Sequence, residues 1–434
     1  LAGMSADEQT ACNNAKDEDS DIGHITARPV QSETDPMRTT QITRMNNNRW
    51  AAVMGNGYNS TNQRPVLLVQ YLDGAMELKR IPVTGTVAAP PAAGAGLSKD
   101  NGLAAPRLVD INGDGTPDVA YAGDNLGNMW KFDLTSVTET DWKVAFSGSP
   151  LFTARGPAVY GSPSRTKVQP ITAPPTLRAN DRKMTNGTDT TKVGGLMVTF
   201  GTGRNASEAD TGNTNVQTLY SVLDNTRYKV VTTALGKRLE VNPGSGTCPW
   251  GTDCVPVPTP LGTGVTTAKL AQQKISTVSG ANGTVVAVDD LNINTWSNFN
   301  GWYLDFSEVG ERLLKSVSLY DNTNILTVYS QVPEKGSNSS EESCDPVSAT
   351  AEKQYRTFIN AVDGKVPTFQ IVDMNADGAY NAADLKVVRT EETPGGHVIV
   401  SDGKYNKDID NQGQSERLAP PPEIAMRPSW RQVK

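Results

Sequence analysis

The chain has 434 residues, a formal net charge of −7 and 37% hydrophobic residues, with 39 glycines and 27 prolines. That length suits two or three average domains or one large β domain, and the Gly/Pro content favours short strands and turns over long helices. No run of 18 apolar residues offers a transmembrane segment, and the dispersed charge without a basic stripe argues against a nucleic-acid partner.

The chain opens at Leu1 without a basic-then-apolar leader, so a removed leader or a piece of a longer protein is expected. Residues 1–20, with Asp17, Glu18 and Asp19, are expected to form a mobile polar segment. Strand-like runs then recur, each closed by Asp, Asn or Gly turn chemistry. They are Val66–Tyr71, Asn128–Phe132, Leu196–Phe200, Thr218–Val222, Ile325–Tyr329 and Thr357–Val362. The unit of Gly-rich turn, apolar strand and Asp-based turn repeats at irregular spacing, most clearly at Gly123–Trp130. This suggests propeller blades rather than a two-sheet sandwich. Val87–Leu97, Asn180–Thr191 and Glu334–Ala351 read as insertions or long loops. Residues 21–405 are therefore expected to form a mainly β, propeller-like domain, and 406–434 a polar, then Pro-rich tail with little regular structure.

Cys248 and Cys254 bracket a short turn-like loop, where a disulfide would stabilise by about 2–2.5 kcal/mol. Cys12 and Cys344 offer a second pairing that spacing alone does not decide. Disulfide chemistry points to an oxidising compartment.

Two acidic loops carry the chemistry. Asp110, Asn112, Asp114 and Asp118 place side-chain oxygens at positions 1, 3, 5 and 9, and Thr116 offers a backbone carbonyl at 7. Calcium takes six to eight oxygen ligands, and alternate residues of a tight turn converge on one point. Gly113 and Gly115 permit that turn. The second loop places Asp373, Asn375, Asp377, the Ala379 carbonyl, Asn381 and Asp384 at positions 1, 3, 5, 7, 9 and 12, with Gly378 at 6. Asp at 12 is shorter than the usual Glu, which predicts a weaker site, and the residues after it allow a short helix. No phosphate-binding loop, Gly-x-Gly-x-x-Gly or His-Glu-x-x-His is present, and only His24 and His397 supply imidazole, so no catalytic residues are assigned. Trp50, Trp130, Trp142 and Trp302 could line a sugar site but read better as blade-core residues.

Trp50–Ser60, Asp110–Leu134, Phe200–Arg204, Leu219–Asn225, Gly301–Asp305 and Gly310–Arg312 together resemble signatures of the PilY family, called PilC in some bacteria. The match runs from about Asp21 to Asp384. The resemblance implies a type IV pilus biogenesis factor and tip-associated adhesin, whose C-terminal half is a modified β-propeller. It also implies a calcium site at Asp110, Asn112, Asp114, Thr116 and Asp118, tied to pilus extension, retraction and twitching motility. Minor pilins at the pilus tip and host or abiotic surfaces would be the partners, at an extracellular location. The family's long N-terminal region is absent and the match begins partway into the propeller, so a C-terminal piece lacking the first blades is expected. The family's cysteine near 344 pairs within the following loop, where this chain offers no second cysteine. A secreted calcium-dependent propeller enzyme or lectin is the alternative. A structural integrin-like repeat would show the Asp-x-Asn-Gly-Asp-Gly loop blade after blade, whereas that form occurs once.

Overall fold

The computed structural model describes residues 5, 7–9, 12, 20–31, 38–83, 101–186, 189–233, 236–246, 248, 254–275, 299–334, 352–373, 377–381, 384, 389–401 and 405–421. Five sheets follow one another along the chain. The first joins Ile42–Arg44, Trp50–Gly55, Val66–Tyr71 and Leu78–Pro82 in sequence order, all antiparallel. The second joins Arg107–Val109, Val119–Gly123, Asn128–Asp133 and Lys143–Val144, and Phe152–Thr153 also pairs with its third strand. The third runs Thr176–Ala179, Leu196–Gly201, Thr218–Asp224 and Gly301–Asp305, with Ala271–Gln273 added in parallel at the edge. The fourth comprises Ser318–Leu319, Ile325–Val332, Lys353–Asn360 and Arg389–Glu392, and the fifth His397–Ser401, Asn406–Asp410 and Ser415–Leu418. Short meandering sheets in succession are the blade pattern expected from the turn spacing.

The core lies between consecutive sheets. Val53, Leu67 and Val69 of the first meet Ala120, Trp130 and Phe132 of the second. The opposite face of the second, with Val119, Tyr121 and Met129, packs on Val198, Phe200, Tyr220 and Val222 of the third. Leu219, Trp302 and Leu304 then meet Leu326, Val328 and Ile359, and Ile325 and Phe358 meet Leu418. Inner strands are thus covered on both faces; every residue of Val119–Gly123 and Thr218–Asp224 is buried. Strands of this kind read as continuous apolar runs, which is why they stand out in the sequence. Trp130, Trp142 and Trp302 are core residues, and each indole N–H is bonded to the chain. Trp50 is exposed.

Three expectations need correction. Residues 406–418 are not an extended tail: they supply two strands of the fifth sheet. Their polar side chains are drawn in by charge, since the buried Arg356 guanidinium binds both Asp408 and Glu416. Lys183–Asn186 and Asp189–Lys192 form a hairpin inside the segment expected to be a loop, as their threonines suit paired strands. The strand expected at Thr357–Val362 spans Lys353–Asn360, because Ala361 and Val362 enter the following turn. Val87–Leu97, Lys335–Ala351, the helix expected after Asp384, Cys344, residues 422–434 and most of residues 1–20 lie outside the described residues. Cys248 and Cys254 are disulfide-bonded, and Cys12 is free and exposed.

One turn shows how buried polar groups are accommodated. Asp124 accepts the N–H groups of Leu126 (2.9 Å) and Asn128 (2.8 Å), Asn128 Nδ2 (2.9 Å) and Trp130 Nε1 (2.9 Å). Burial pushes its carboxyl above the ordinary value even against these four donors. Replacing it with alanine strands the donors in the core. Asp124→Ala is expected to lower unfolding free energy by about 3–5 kcal/mol, and Asp124→Asn by less. Urea denaturation midpoints check this; an unchanged midpoint for the alanine variant contradicts it.

Candidate metal centre

The first acidic loop joins Arg107–Val109 to Val119–Gly123 at one end of the second sheet. Asp110 organises it. Its Oδ1 accepts the N–H of Gly113 (2.7 Å) and Asp114 (3.2 Å), and its Oδ2 that of Gly115 (2.7 Å). Gly113 and Gly115 hold φ of 77° and 89°, a region that L side chains avoid, so these two glycines are required by the turn. The Thr116 hydroxyl and N–H both donate to Asp114 Oδ1 (2.6 and 2.9 Å), and Asn112 Nδ2 donates to Asp114 Oδ2 (2.9 Å). Burial works against the Asp114 carboxylate, but these donors and Arg44 hold its pKa below the ordinary value.

Asp118 is the informative member. It is 1% exposed, and its Oδ2 accepts the Ile111 N–H (2.8 Å). Its Oδ1 is buried without a hydrogen-bond donor. The adjacent Asn46 amide donates instead to the carbonyls of Pro117 and Leu134 (3.0 Å each). Burial pushes the Asp118 carboxyl up to about 6, Asp110 and Asp114 add repulsion, and Ile111 and Asn46 offset part of it. A buried carboxylate oxygen without a donor, beside two further carboxylates, is a donor set that fits a hard divalent cation. Asp110, Asn112, Asp114, Thr116 and Asp118 are brought into one loop as expected.

The second loop repeats the pattern in part. Asp373 Oδ2 accepts the Gly378 N–H (2.8 Å), while its Oδ1 is buried without a donor. Asp377 accepts the Ala379 N–H (2.8 Å), and the buried Asp384 accepts the Asn381 N–H (2.9 Å). Asn375 lies outside the described residues. Among the described residues, no helix is long and apolar enough to cross a membrane.

A family model described as the PilY1 beta-propeller domain matches residues 17–241, more than half of the chain. The chain belongs to the PilY1 β-propeller family. Type IV pilus biogenesis factor PilY1 of Pseudomonas aeruginosa (strain PAO1) is 26% identical over 445 residues, covering 96% of this chain and 33% of that protein. PilY1 of P. aeruginosa (strain UCBPP-PA14) is 34% identical over 229 residues, covering 48% of this chain and 16% of that protein. A PilY1 homolog of Xylella fastidiosa is 28% identical over 211 residues, covering 48% and 12%. The chain therefore spans a third or less of these relatives. The crystal structure of the P. aeruginosa PilY1 C-terminal domain matches with a TM-score of 0.61 at 23% identity, over 94% of this chain and 75% of that one. The modified propeller inferred from the turns is thus the fold of the family, and among the described residues its sheets do not close.

Sequence reading missed a charged contact behind the loop. On Asn128–Asp133 of this PilY1-family sheet, Lys131 Nζ lies 2.5 Å from Asp224 Oδ2 of the third sheet, both side chains 2% exposed or less. Tyr121 donates its hydroxyl to the same oxygen (2.5 Å), Thr226 caps the other, and the rings of Tyr121, Phe146 and Tyr228 surround the ammonium at 5.3–5.7 Å. Burial pushes Asp224 up, but Lys131 and the hydroxyls outweigh it and hold it ionised. The partners are 93 positions apart, so no local spacing signals the pair.

Lys131→Met is expected to cost about 3–5 kcal/mol, because Asp224 is left charged in an apolar interface. Adding Asp224→Leu should restore much of the loss; additive losses in a double-mutant cycle contradict the pair's role. For the loop, with a chelator present, folded Asp118 takes up a proton as pH falls through about 6, while the unfolded carboxyl does so near 4. Metal-free protein should therefore melt about 1–2 °C higher at pH 5 than at pH 7.5 relative to Asp118→Asn. A pH-independent difference between the two proteins contradicts this.

Proposed function

We propose that this chain is the calcium-binding propeller region of a type IV pilus biogenesis factor, non-catalytic, exported to the pilus tip or cell surface. It would support pilus assembly, extension–retraction balance, twitching motility and attachment, with minor pilins and host or abiotic surfaces as partners. The relatives bear that pilus name and none is named as an enzyme. The observation that carries the calcium reading is the buried, donor-less Asp118 Oδ1 within a 1-3-5-9 oxygen loop. Asp110, Asn112, Asp114, Thr116 and Asp118 would hold the ion, and Asp373, Asn375, Asp377, Ala379, Asn381 and Asp384 a second, structural one. A bound calcium supplies positive charge to carboxylates that otherwise repel across the loop. The loop opens directly into Val119–Gly123, so calcium would brace the strand that carries Tyr121 toward Asp224. The enzyme or lectin alternative loses its aromatic platform, since three of the four candidate tryptophans are core residues.

Calorimetric titration of calcium into wild type and Asp114→Ala tests the reading. Wild type should show two sites, and the variant should lose the first or bind it at least about tenfold more weakly. Equal isotherms would sink the assignment. In a strain carrying the full-length protein, the same variant should change twitching motility, and unaltered motility would remove the regulatory part.

A further inference from the structure

The fourth and fifth sheets meet around a second group of ligand-type side chains, outside both acidic loops. Glu392 ends the strand Arg389–Glu392, His397 begins His397–Ser401, and Asp408 sits within Asn406–Asp410. Each offers one ligand atom, and these atoms lie within 4.8 Å of one another, the tightest such His/Cys/Asp/Glu group among the described residues.

The hydrogen bonding of His397 is the second observation. Its side chain is 5% exposed. Its Nε2 is 2.8 Å from the Thr393 carbonyl oxygen, and its Nδ1 is 3.1 Å from Asp408 Oδ1. A carbonyl oxygen only accepts, so Nε2 carries the proton and Nδ1 of the neutral ring presents a lone pair. That lone pair faces a carboxylate oxygen, which also only accepts. The contact is repulsive unless a cation lies between the two. A carbonyl that fixes the distal N–H of an imidazole is the usual support of a metal-bound histidine.

The carboxylates are held in the same manner. Asp408 Oδ2 accepts from Tyr329 (2.7 Å) and Arg356 Nη1 (2.5 Å), so its Oδ1 is the oxygen turned toward His397. Glu392 takes Arg356 Nη2 (3.0 Å) and the Thr390 hydroxyl through Oε1. The Tyr329 ring stacks on the imidazole at 5.0 Å. Arg356 also binds Glu416 (2.5 Å), so one guanidinium serves three carboxylates and a net negative charge remains. A cavity of about 700 Å³ opens onto the group, giving an ion a path and room for water ligands.

We propose that His397 Nδ1, Asp408 and Glu392 form a site for a divalent transition-metal ion of the zinc class, with Arg356, Tyr329 and Thr393 as positioning groups. The imidazole nitrogen excludes calcium and magnesium, which take oxygen donors. The ion clamps the last sheet of the described chain onto the one before it, and this site is independent of the calcium loops.

The test is a zinc titration of the whole chain by calorimetry with calcium in excess, which keeps zinc off the acidic loops. It is paired with ¹⁵N NMR of the imidazoles, resolvable because the chain has only two histidines. One zinc per chain is expected, with the His397 Nδ1 resonance moving on zinc addition while Nε2 stays protonated. His397→Phe, which keeps the stacking on Tyr329, should weaken zinc at least about a hundredfold. If that variant misfolds, Glu392→Gln should weaken it about tenfold. Zinc affinity unchanged in whichever variant folds overturns the proposal. So does a metal-free His397 protonated on both nitrogens at pH 7.5 and unresponsive to zinc, since the contact with Asp408 is then an imidazolium ion pair.

Discussion

Lys131 and Asp224 meet in the dry space between the second and third sheets. Nothing else along that interface is charged in the same way: its other contacts are Val119, Met129, Phe152, Phe200 and Tyr220. An ammonium and a carboxylate withdrawn from water are tolerable only when each is fully engaged, and here each is. The carboxylate takes Lys131, Tyr121 and Thr226, and the ammonium takes Thr226 and three aromatic rings. The pair therefore fixes the register of one sheet on the next more sharply than apolar packing would. It also reaches the acidic loop by a short covalent route, since Asp118 begins, three positions earlier, the strand that presents Tyr121. The phenol of Tyr228 is likewise held up by burial and then by the charges of Asp224, Asp133 and Asp118.

The same requirement governs the other polar groups inside the stack. Asn56 donates to the carbonyls of Asp21 and Arg64 and accepts from Val66 and Leu103, doing for the first sheet what Asp124 does for the second. Between the third sheet and the hairpin beside it, Arg165 takes Asp305 through two nitrogens (2.6 and 2.9 Å), and Asp305 in turn accepts from Thr218. Arg356 plays the corresponding part between the fourth and fifth sheets. A chain with modest apolar content can build sheets buried on both faces because these networks satisfy its inner polar positions.

What was legible in the sequence follows from distance along the chain. Val66–Tyr71 and Leu196–Phe200 announce themselves because a strand covered on both faces must be apolar throughout, and an Asp, Asn or Gly closes it. The loop at Asp110–Asp118 is legible because its donors lie within nine residues and its glycines are set by backbone handedness. Asn46 was not, because it reaches Thr116 and Pro117 across about seventy positions. Asn406–Leu418 was misread because its strands are held by Arg356 and not by alternating apolar residues. Lys131, Asp224 and the His397 group are ordinary surface-type residues until the fold buries them. Only the tertiary arrangement gives them partners.

The apolar clusters join each sheet to its sequence neighbour, and among the described residues none joins the first sheet to the last. Mechanically this is a set of elements in series, with no parallel route for load. A closed ring divides an applied tension between two paths; an open stack passes the whole of it through every interface, and the softest one yields first. Yield strength is then set at single junctions, and the two junctions that hold buried ions of opposite sign, at Lys131 and at Arg356, are the ones whose stiffness solution conditions can tune.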